Sequence, residues 1–254
     1  MRLNNLNFQY NSEFIFRSFC YEFNIGITTI VAKNGVGKST LIQCIVDEYI
    51  LSLKGKSSGM VAFGNKKFTN KNNNPEDFIF TPSEWVYKKT ILKHISQKSD
   101  HSLLPWYNSI DNLKVIASFE KRTVDFQRYI TNLESFKINP TQKIESLSGG
   151  QKQIVNILKT LAFEANLILM DEPFSALDLE NSIRLKKLIL EWQKEHQATI
   201  ILISHSIDDI LELSDTILIL DKRPVKIHKV LENNFGLRDK NKIEIMKFLD
   251  GETR

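Results

Sequence analysis

An α/β fold built on a mostly parallel sheet is predicted for this chain, with an antiparallel β subdomain near its N-terminus and a helical insert. Three observations predict it. In the second half, short apolar runs of strand length alternate with segments of helical apolar spacing, the pattern of a parallel sheet covered on both faces. Residues 27–32 (ITTIVA) form a β-branched run that leads through a glycine-bearing loop into a helical segment. Before it, apolar and polar residues alternate in period two, as half-buried antiparallel strands do.

Each element follows from its own pattern. Leu6, Phe8 and Tyr10 share one face of a first strand; Phe19, Tyr21, Phe23 and Ile25 share a face of a second, with Cys20, Glu22 and Asn24 opposite. Residues 40–53 carry Leu41, Ile42, Ile45, Val46 and Tyr49 at helical spacing. Residues 54–76, rich in Gly, Ser, Asn and Lys, read as loops around one short strand at 60–63, with Asn72-Asn73-Asn74-Pro75 as a breaker. From 110 to 136 the apolar spacing is helical. Strands are expected at 167–170, 199–203 and 216–220, and a helix at 182–196. No internal repeat is visible.

Composition excludes whole classes. At 42% hydrophobic and 25% charged, the 254 residues are too rich in core-forming side chains for a disordered chain. Ten glycines and two cysteines exclude collagen-like and disulfide-dense scaffolds. No stretch approaches the roughly 20 apolar residues of a membrane helix, and the opening MRLNNLNFQY lacks the apolar core of a secretory signal. Cys20 and Cys44 fall in no metal or redox spacing and read as free thiols of a reducing cytosol. A net charge of +4 is too small to argue for a nucleic-acid partner, and the basic stretch KRPVKIHK at 222–229 reads as a solvated face.

Strand, glycine-bearing loop and helix in that order is the context of a phosphate loop, here AKNGVGKST, residues 32–40. Glycines allow the backbone N–H groups of Asn34, Gly35, Val36 and Gly37 to turn toward phosphate oxygens. The helix start adds unsatisfied N–H groups and about half a positive charge. Lys38 can reach the terminal phosphates, and the hydroxyl of Ser39, next to Thr40, can ligate Mg²⁺. Ala32 stands where such loops usually open on glycine. That glycine does not itself cradle phosphate, so altered turn geometry is expected, with binding retained.

Residues 167–172 (LILMDE) form an apolar strand ending in two acids. Ligands of parallel α/β sheets gather at the carboxyl ends of strands. Asp171 is therefore expected beside the phosphate loop as a Mg²⁺ holder, and Glu172 as the group that orients and deprotonates a water aimed at the γ-phosphate. Taken alone, the pair fits equally a strand that ends in solvated acids. Similarly, Ser204-His205 after the 199–203 strand gains interest only if that strand neighbours the LILMDE strand.

Residues 147–151 read LSGGQ, twenty positions before Asp171. A Ser/Gly helix cap explains the SGG but not its occurrence between a phosphate loop and an apolar strand ending in Asp-Glu. The set resembles the ATP-binding cassette (ABC) ATPase family, from about residue 3 to 221. The resemblance implies a P-loop NTPase core (RecA-like, mostly parallel sheet) forming a single cassette over 1–254. Within it, residues 1–96 would hold the β subdomain and phosphate-loop core, 97–150 the helical subdomain, 151–221 the acidic strand and switch, and 222–254 a short tail. It places Tyr10 on the adenine, Gln97 in the loop that senses Mg²⁺ and the γ-phosphate, Asp178 in the D-loop SALD, and His205 as the γ-phosphate switch. It also implies head-to-tail dimers, in which Ser148, Gly149, Gly150 and Gln151 of one subunit close on the nucleotide held by the other. Catalytic roles then fall to Glu172, His205, Gln97 and Lys38, and metal contacts to Ser39, Gln97 and Asp171, with ATP and Mg²⁺ as cofactors.

Within the family, Leu103-Leu104-Pro105-Trp106 followed by Ile110-Asp111-Asn112, and Lys222-Arg223-Pro224-Val225-Lys226-Ile227, are similar to ATPase subunits of nitrate, sulfonate, taurine and thiamine-precursor importers. This implies a second ATPase subunit, a membrane permease reached through Leu103 and Trp106, a solute-binding protein acting through that permease, and a place on the inner face of the cell membrane. A non-transport ABC ATPase of cluster assembly, repair or translation is the alternative. Departures from the family pattern are Ile154 in place of Arg, Ser206 and Asp209 in place of Asp and Glu, Asn181-Ser182 in place of Thr-Arg, Val225 in place of Gly, and a longer gap from Gln97 to Pro105.

Overall fold

The computed structural model describes residues 1–10, 13–46, 56–63, 66–69, 78–81, 84–87, 90–95 and 102–251. The chain divides into two compact units, Met1–Asp77 with Gln197–Arg254, and Phe78–His196.

The first unit is built around β3 (Gly26–Val31), whose six residues are all buried. It lies between two parallel neighbours, β10 (Thr199–Ile203) and β11 (Thr216–Asp221). A strand enclosed on both edges and both faces must be continuously apolar or β-branched, and GITTIV is. Its two threonines are accommodated locally: the Ser214 hydroxyl donates to Thr29 Oγ1 at 2.6 Å. The entry to β3 is fixed by Asp215, whose carboxylate accepts from the Ile27 N–H at 2.8 Å while its own N–H donates to the Ile27 carbonyl. β12 (Lys226–Glu232) closes the edge antiparallel to β11. The second sheet of this unit is antiparallel, in the order β2 (Glu13–Glu22), β1 (Arg2–Tyr10), β4 (Lys56–Phe63), β5 (Lys66–Thr69). Leu3, Leu6, Phe8, Ile15, Phe16 and Phe19 bury its inner face. Ile25 does not continue the alternation and is 63% exposed, because the chain leaves β2 at Glu22. The last helix, α7 (Arg238–Asp250), sets Ile245 and Phe248 against Val31, Ile217 and Ile219.

The second unit carries β9 (Leu167–Asp171) beside parallel β8 (Thr90–Ile95), followed by antiparallel β7 (Glu84–Tyr87) and β6 (Phe78–Thr81). Its helices are α2 (Ser109–Glu120), α3 (Phe126–Ser135), α4 (Gly149–Leu161) and α5 (Leu179–His196). The helical spacing over 110–136 resolves into two helices. Lys121 takes a left-handed φ of 53° and ends α2, and Asp125 accepts from the Arg128 N–H to start α3. Buried Lys93 pairs with Glu120 at 3.1 Å and sits 3.9 Å from the Phe163 ring centre, so the charge enters the core with both an anion and a π face.

Among the described residues no helix is long and apolar enough to cross a membrane.

Candidate functional site

In the first unit, β3 ends at Val31 and the chain turns through residues 32–37 into α1 (Lys38–Ile45). Gly37 is the N-cap, with φ 132° and no side chain over the first-turn amides. These N–H groups, with the positive end of the helix dipole, form an anion site. A Cβ on Gly37 would lie 2.8 Å from Ile15 Cγ2 in a backbone conformation that side chains rarely adopt, so both sterics and φ require glycine. Lys38 is buried and arches back over the loop, its Nζ donating to Ala32 O at 2.7 Å and Lys33 O at 3.4 Å. The ammonium thus stands within the ring of peptides that would surround a phosphate chain. Ala32 is buried and has a negative φ, so no glycine is needed there. Asn34, Gly35 and Ser39 are exposed; Val36 and Thr40 are half-buried.

β10 runs beside β3 with Ile203 opposite Ile30, so the two strands end together. Ser204 and His205 therefore leave the sheet at the edge from which the phosphate loop leaves it. His205 is exposed. The Ser206 hydroxyl accepts from the Asp209 N–H and caps α6 (Ile207–Leu213). Ser204 Oγ donates to Asp209 Oδ2 at 3.3 Å and accepts from the Ser206 N–H at 3.1 Å. The serine and aspartate that depart from the family pattern thus hold the turn bearing His205.

In the second unit, β9 buries four residues and ends at Asp171, half-buried. Glu172 follows with φ 50°, left-handed for a residue with a Cβ. Such a conformation costs roughly 1–2 kcal/mol, and here Ser175 holds it: its N–H and Oγ both donate to the Glu172 carbonyl, at 3.4 and 3.0 Å. A strained residue at the end of an apolar strand is a site in which side-chain aim outweighs backbone comfort.

The LSGGQ segment forms the start of α4. Ser148 Oγ accepts from the Gln151 N–H at 3.2 Å and Gln151 Oε1 accepts from the Ser148 N–H at 3.0 Å, a closed capping box. A Cβ on Gly150 would lie 2.8 Å from the Ala176 carbonyl, whereas one on Gly149 would meet nothing within 4 Å. Gln153 Nε2 donates to Pro173 O at 3.1 Å, so α4 and the 173–178 segment are packed as one piece. Asp178 caps α5 through the Asn181 N–H and Nδ2 at 2.9 and 2.8 Å. Those bonds, the backbone one foremost, hold its carboxyl below the usual carboxylate range. Asn181 is therefore a working part of the cap. Ile154 is buried in the core, where a permanently charged arginine would need an ionic partner. Leu179 and Ile183, just after the D-loop, are 77% and 53% exposed.

Tyr10 ends β1, and its side chain lies outside the described residues, as does Gln97. Of the two side chains expected to meet a permease, Leu103 is buried and serves the core, because the turn bearing it is tied to α2 through Asn112, which accepts from Leu104 N and donates to Leu104 O. Trp106 remains exposed, beside Tyr107. Sequence reasoning missed Arg223, Val225 and Glu13 as neighbours of the site. Their only signal is spatial.

The chain belongs to the ABC transporter family, whose pattern matches residues 24–175. It is 30% identical over 210 residues to the aliphatic sulfonates import ATP-binding protein SsuB of Bacillus cereus, covering 81% of this chain and 73% of that one. It is 28% identical over 233 residues to the phosphonates import ATP-binding protein PhnC of Fusobacterium nucleatum, covering 90% and 92%. The taurine import ATP-binding protein TauB of Pseudomonas aeruginosa matches at 32% over 143 residues, 55% of this chain and 54% of the other. The fold is that of the ATP-binding cassette MJ0796, solved as a dimer bound to ADP and Pi, with a TM-score of 0.69, 19% identity, and 92% and 98% of the two chains covered.

Proposed function

We propose that this chain is the ATP-hydrolysing subunit of an ABC importer, and that its solute is of the nitrate, sulfonate or taurine type. The observation that carries the nucleotide reading is the uncapped start of α1 behind Gly37, with the Lys38 ammonium arched over it and His205 leaving the same sheet edge. Import rests on the relatives named as sulfonate, phosphonate and taurine import proteins.

The amides of residues 34–40 and the Lys38 ammonium bind the phosphate chain, and Tyr10 stacks on the base. Among the described residues no three His, Cys, Asp or Glu side chains cluster as a metal cage. The Ser39 hydroxyl and Asp171 carboxylate are hard oxygen donors, suited to a Mg²⁺ ion that arrives with the nucleotide. Ser39, Asp171 and Gln97 would hold that ion, which would supply positive charge opposite the phosphates. Glu172 accepts a proton from the attacking water, and His205 donates to the γ-phosphate. The reaction is chiefly positioning and electrostatics, as phosphoryl transfer generally is.

The second half of each site comes from a partner copy. Among the described residues nothing lies within 4 Å of a Cβ built on Gly149, which leaves its backbone open to close approach by a partner. Exposed Leu179 and Ile183 add apolar surface just after Asp178. ATP joins two copies head to tail, and hydrolysis releases them. Trp106 is the exposed contact toward the permease on the inner membrane face, and a solute-binding protein acts through that permease.

Glu172→Gln tests this. Hydrolysis is expected to fall about a hundredfold or more, ATP affinity to remain native, and light scattering to show an ATP-dependent dimer that persists. Hydrolysis at the native rate would remove Glu172 from the mechanism.

A further inference from the structure

The turn between β11 and β12 reaches the phosphate loop. Arg223 Nη2 donates to the Gly35 carbonyl, and Nη1 to Glu13 Oε1 at 3.3 Å. Two residues on, the Val225 N–H donates to Ile15 O at 2.7 Å, and Val225 Cγ2 would stand 3.4 Å from a Cβ on Gly37. Residues 223–225 thus touch the loop at both of its positive-φ glycines, Gly35 at 77° and Gly37 at 132°.

The consequence lies in the geometry of one peptide. In a trans peptide the C=O and N–H point in opposite directions. A guanidinium holding the Gly35 carbonyl therefore also sets where the Val36 N–H points. Among the described residues, the other hydrogen bond on the Gly35–Val36 unit is the 3.4 Å one from Val36 N to Lys33 O, and glycine gives the unit wide freedom. The guanidinium fork suits this task, since one N–H can lie on the Glu13 carboxylate while another holds the carbonyl. Its charge polarises the amide toward a phosphate oxygen.

We propose that Arg223 is a positioning residue for the phosphate loop. It acts through the Gly35 peptide to preset the loop for the phosphate chain of a nucleoside di- or triphosphate, with Glu13 fixing the guanidinium. This rests on the phosphate-loop reading above.

The test is nucleotide binding by the purified full chain, with a fluorescent ADP analogue and with ATP, for the native protein, Arg223→Ala, Arg223→Lys, Arg223→Gln and Lys38→Ala. Arg223→Ala is expected to weaken both nucleotides about tenfold, and Arg223→Lys, which keeps the charge but lacks the fork, to recover only part of the loss. In steady-state hydrolysis, KM should rise by that factor while kcat at saturation stays within about twofold, the split expected of lost binding. Melting without nucleotide should not change. Native ADP affinity in Arg223→Ala, with binding lost in Lys38→Ala, overturns the role of Arg223 alone. Should Arg223→Ala melt early, Arg223→Gln decides: a loss of affinity at native melting supports the role, and native affinity overturns it. A native protein that binds no ADP overturns the phosphate-loop reading and this role with it.

Discussion

Two helix starts in this chain are candidates to meet phosphate oxygens, and they are built in opposite ways. α1 begins behind Gly37 with no side-chain cap, so its first amides keep their hydrogen-bonding capacity for a ligand. α4 begins with Ser148 and Gln151 bonded to each other's backbone. There a phosphate must compete with an acceptor the protein already supplies. The first start has a lysine folded over it, while the first turn of the second has no acid. An open start with its own cation can bind nucleotide unaided. A self-satisfied start gains little until a second surface presses the ligand against it. The asymmetry suits a site made of two halves, one that always holds nucleotide and one that engages on closure.

The sharpest way to break this contrast is Lys38→Ala. It should weaken ATP and ADP binding at least about a hundredfold, as expected for loss of a cation on a polyphosphate, measurable by titration with a fluorescent nucleotide. Binding that survives would mean that α1 does not depend on its lysine.

The glycines of α4 offer a second cut. Gly150→Val drives a Cβ into the Ala176 carbonyl and should cost about 3 kcal/mol in urea unfolding. Gly149→Val meets open space and should cost less than about 1 kcal/mol, mainly β-branched propensity. It should nonetheless abolish the ATP-dependent dimer in light scattering. A Gly149→Val protein that still dimerises would place the partner elsewhere.

Acid gives the smallest effect and acts on the second unit. The Nε2 of His94 is buried with no hydrogen-bond partner among the described residues, and burial lowers the ring's pKa from 6.5 to about 4. Between those values the unfolded chain binds the extra proton and the folded one does not. Stability is therefore intact above pH 6.5 and falls as pH drops toward 4. His94→Gln should flatten that slope in unfolding curves taken across this window. An unchanged slope would exclude His94 as its source.

Much of the site was legible because its chemistry is local. A phosphate loop, an apolar strand ending in acids and a capped Ser-Gly-Gly helix start are each contiguous, and their residues carry their own conformational demands. The strands around β3 were legible too, since burial on both faces forces unbroken apolar runs. Legibility failed where local signals were weak or absent. The break between α2 and α3 has no Gly or Pro; a lysine adopts the left-handed conformation instead. β6, β7 and β8 went unread although FIFT, EWVY and TILKHI are separated by two residues each, the spacing of hairpins. Leu103 was read for its chemistry, whereas its turn is fixed by Asn112 at hydrogen-bonding distance. Arg223 was read as part of a basic, importer-like stretch but not for its contact: nothing near it in sequence points 188 residues back to Gly35.

The order of strands around β3 has a consequence for synthesis. The loop-bearing strand is made well before its two neighbours, β10 and β11, which follow it by about 170 and 190 residues. Until then GITTIV is an unpaired strand with two open edges, prone to pair with a wrong chain. The nascent protein cannot complete its phosphate loop before residue 223 has emerged. A destabilising change anywhere in the last quarter of the chain should thus lower the yield of nucleotide-competent protein more than it lowers the affinity of the molecules that do fold.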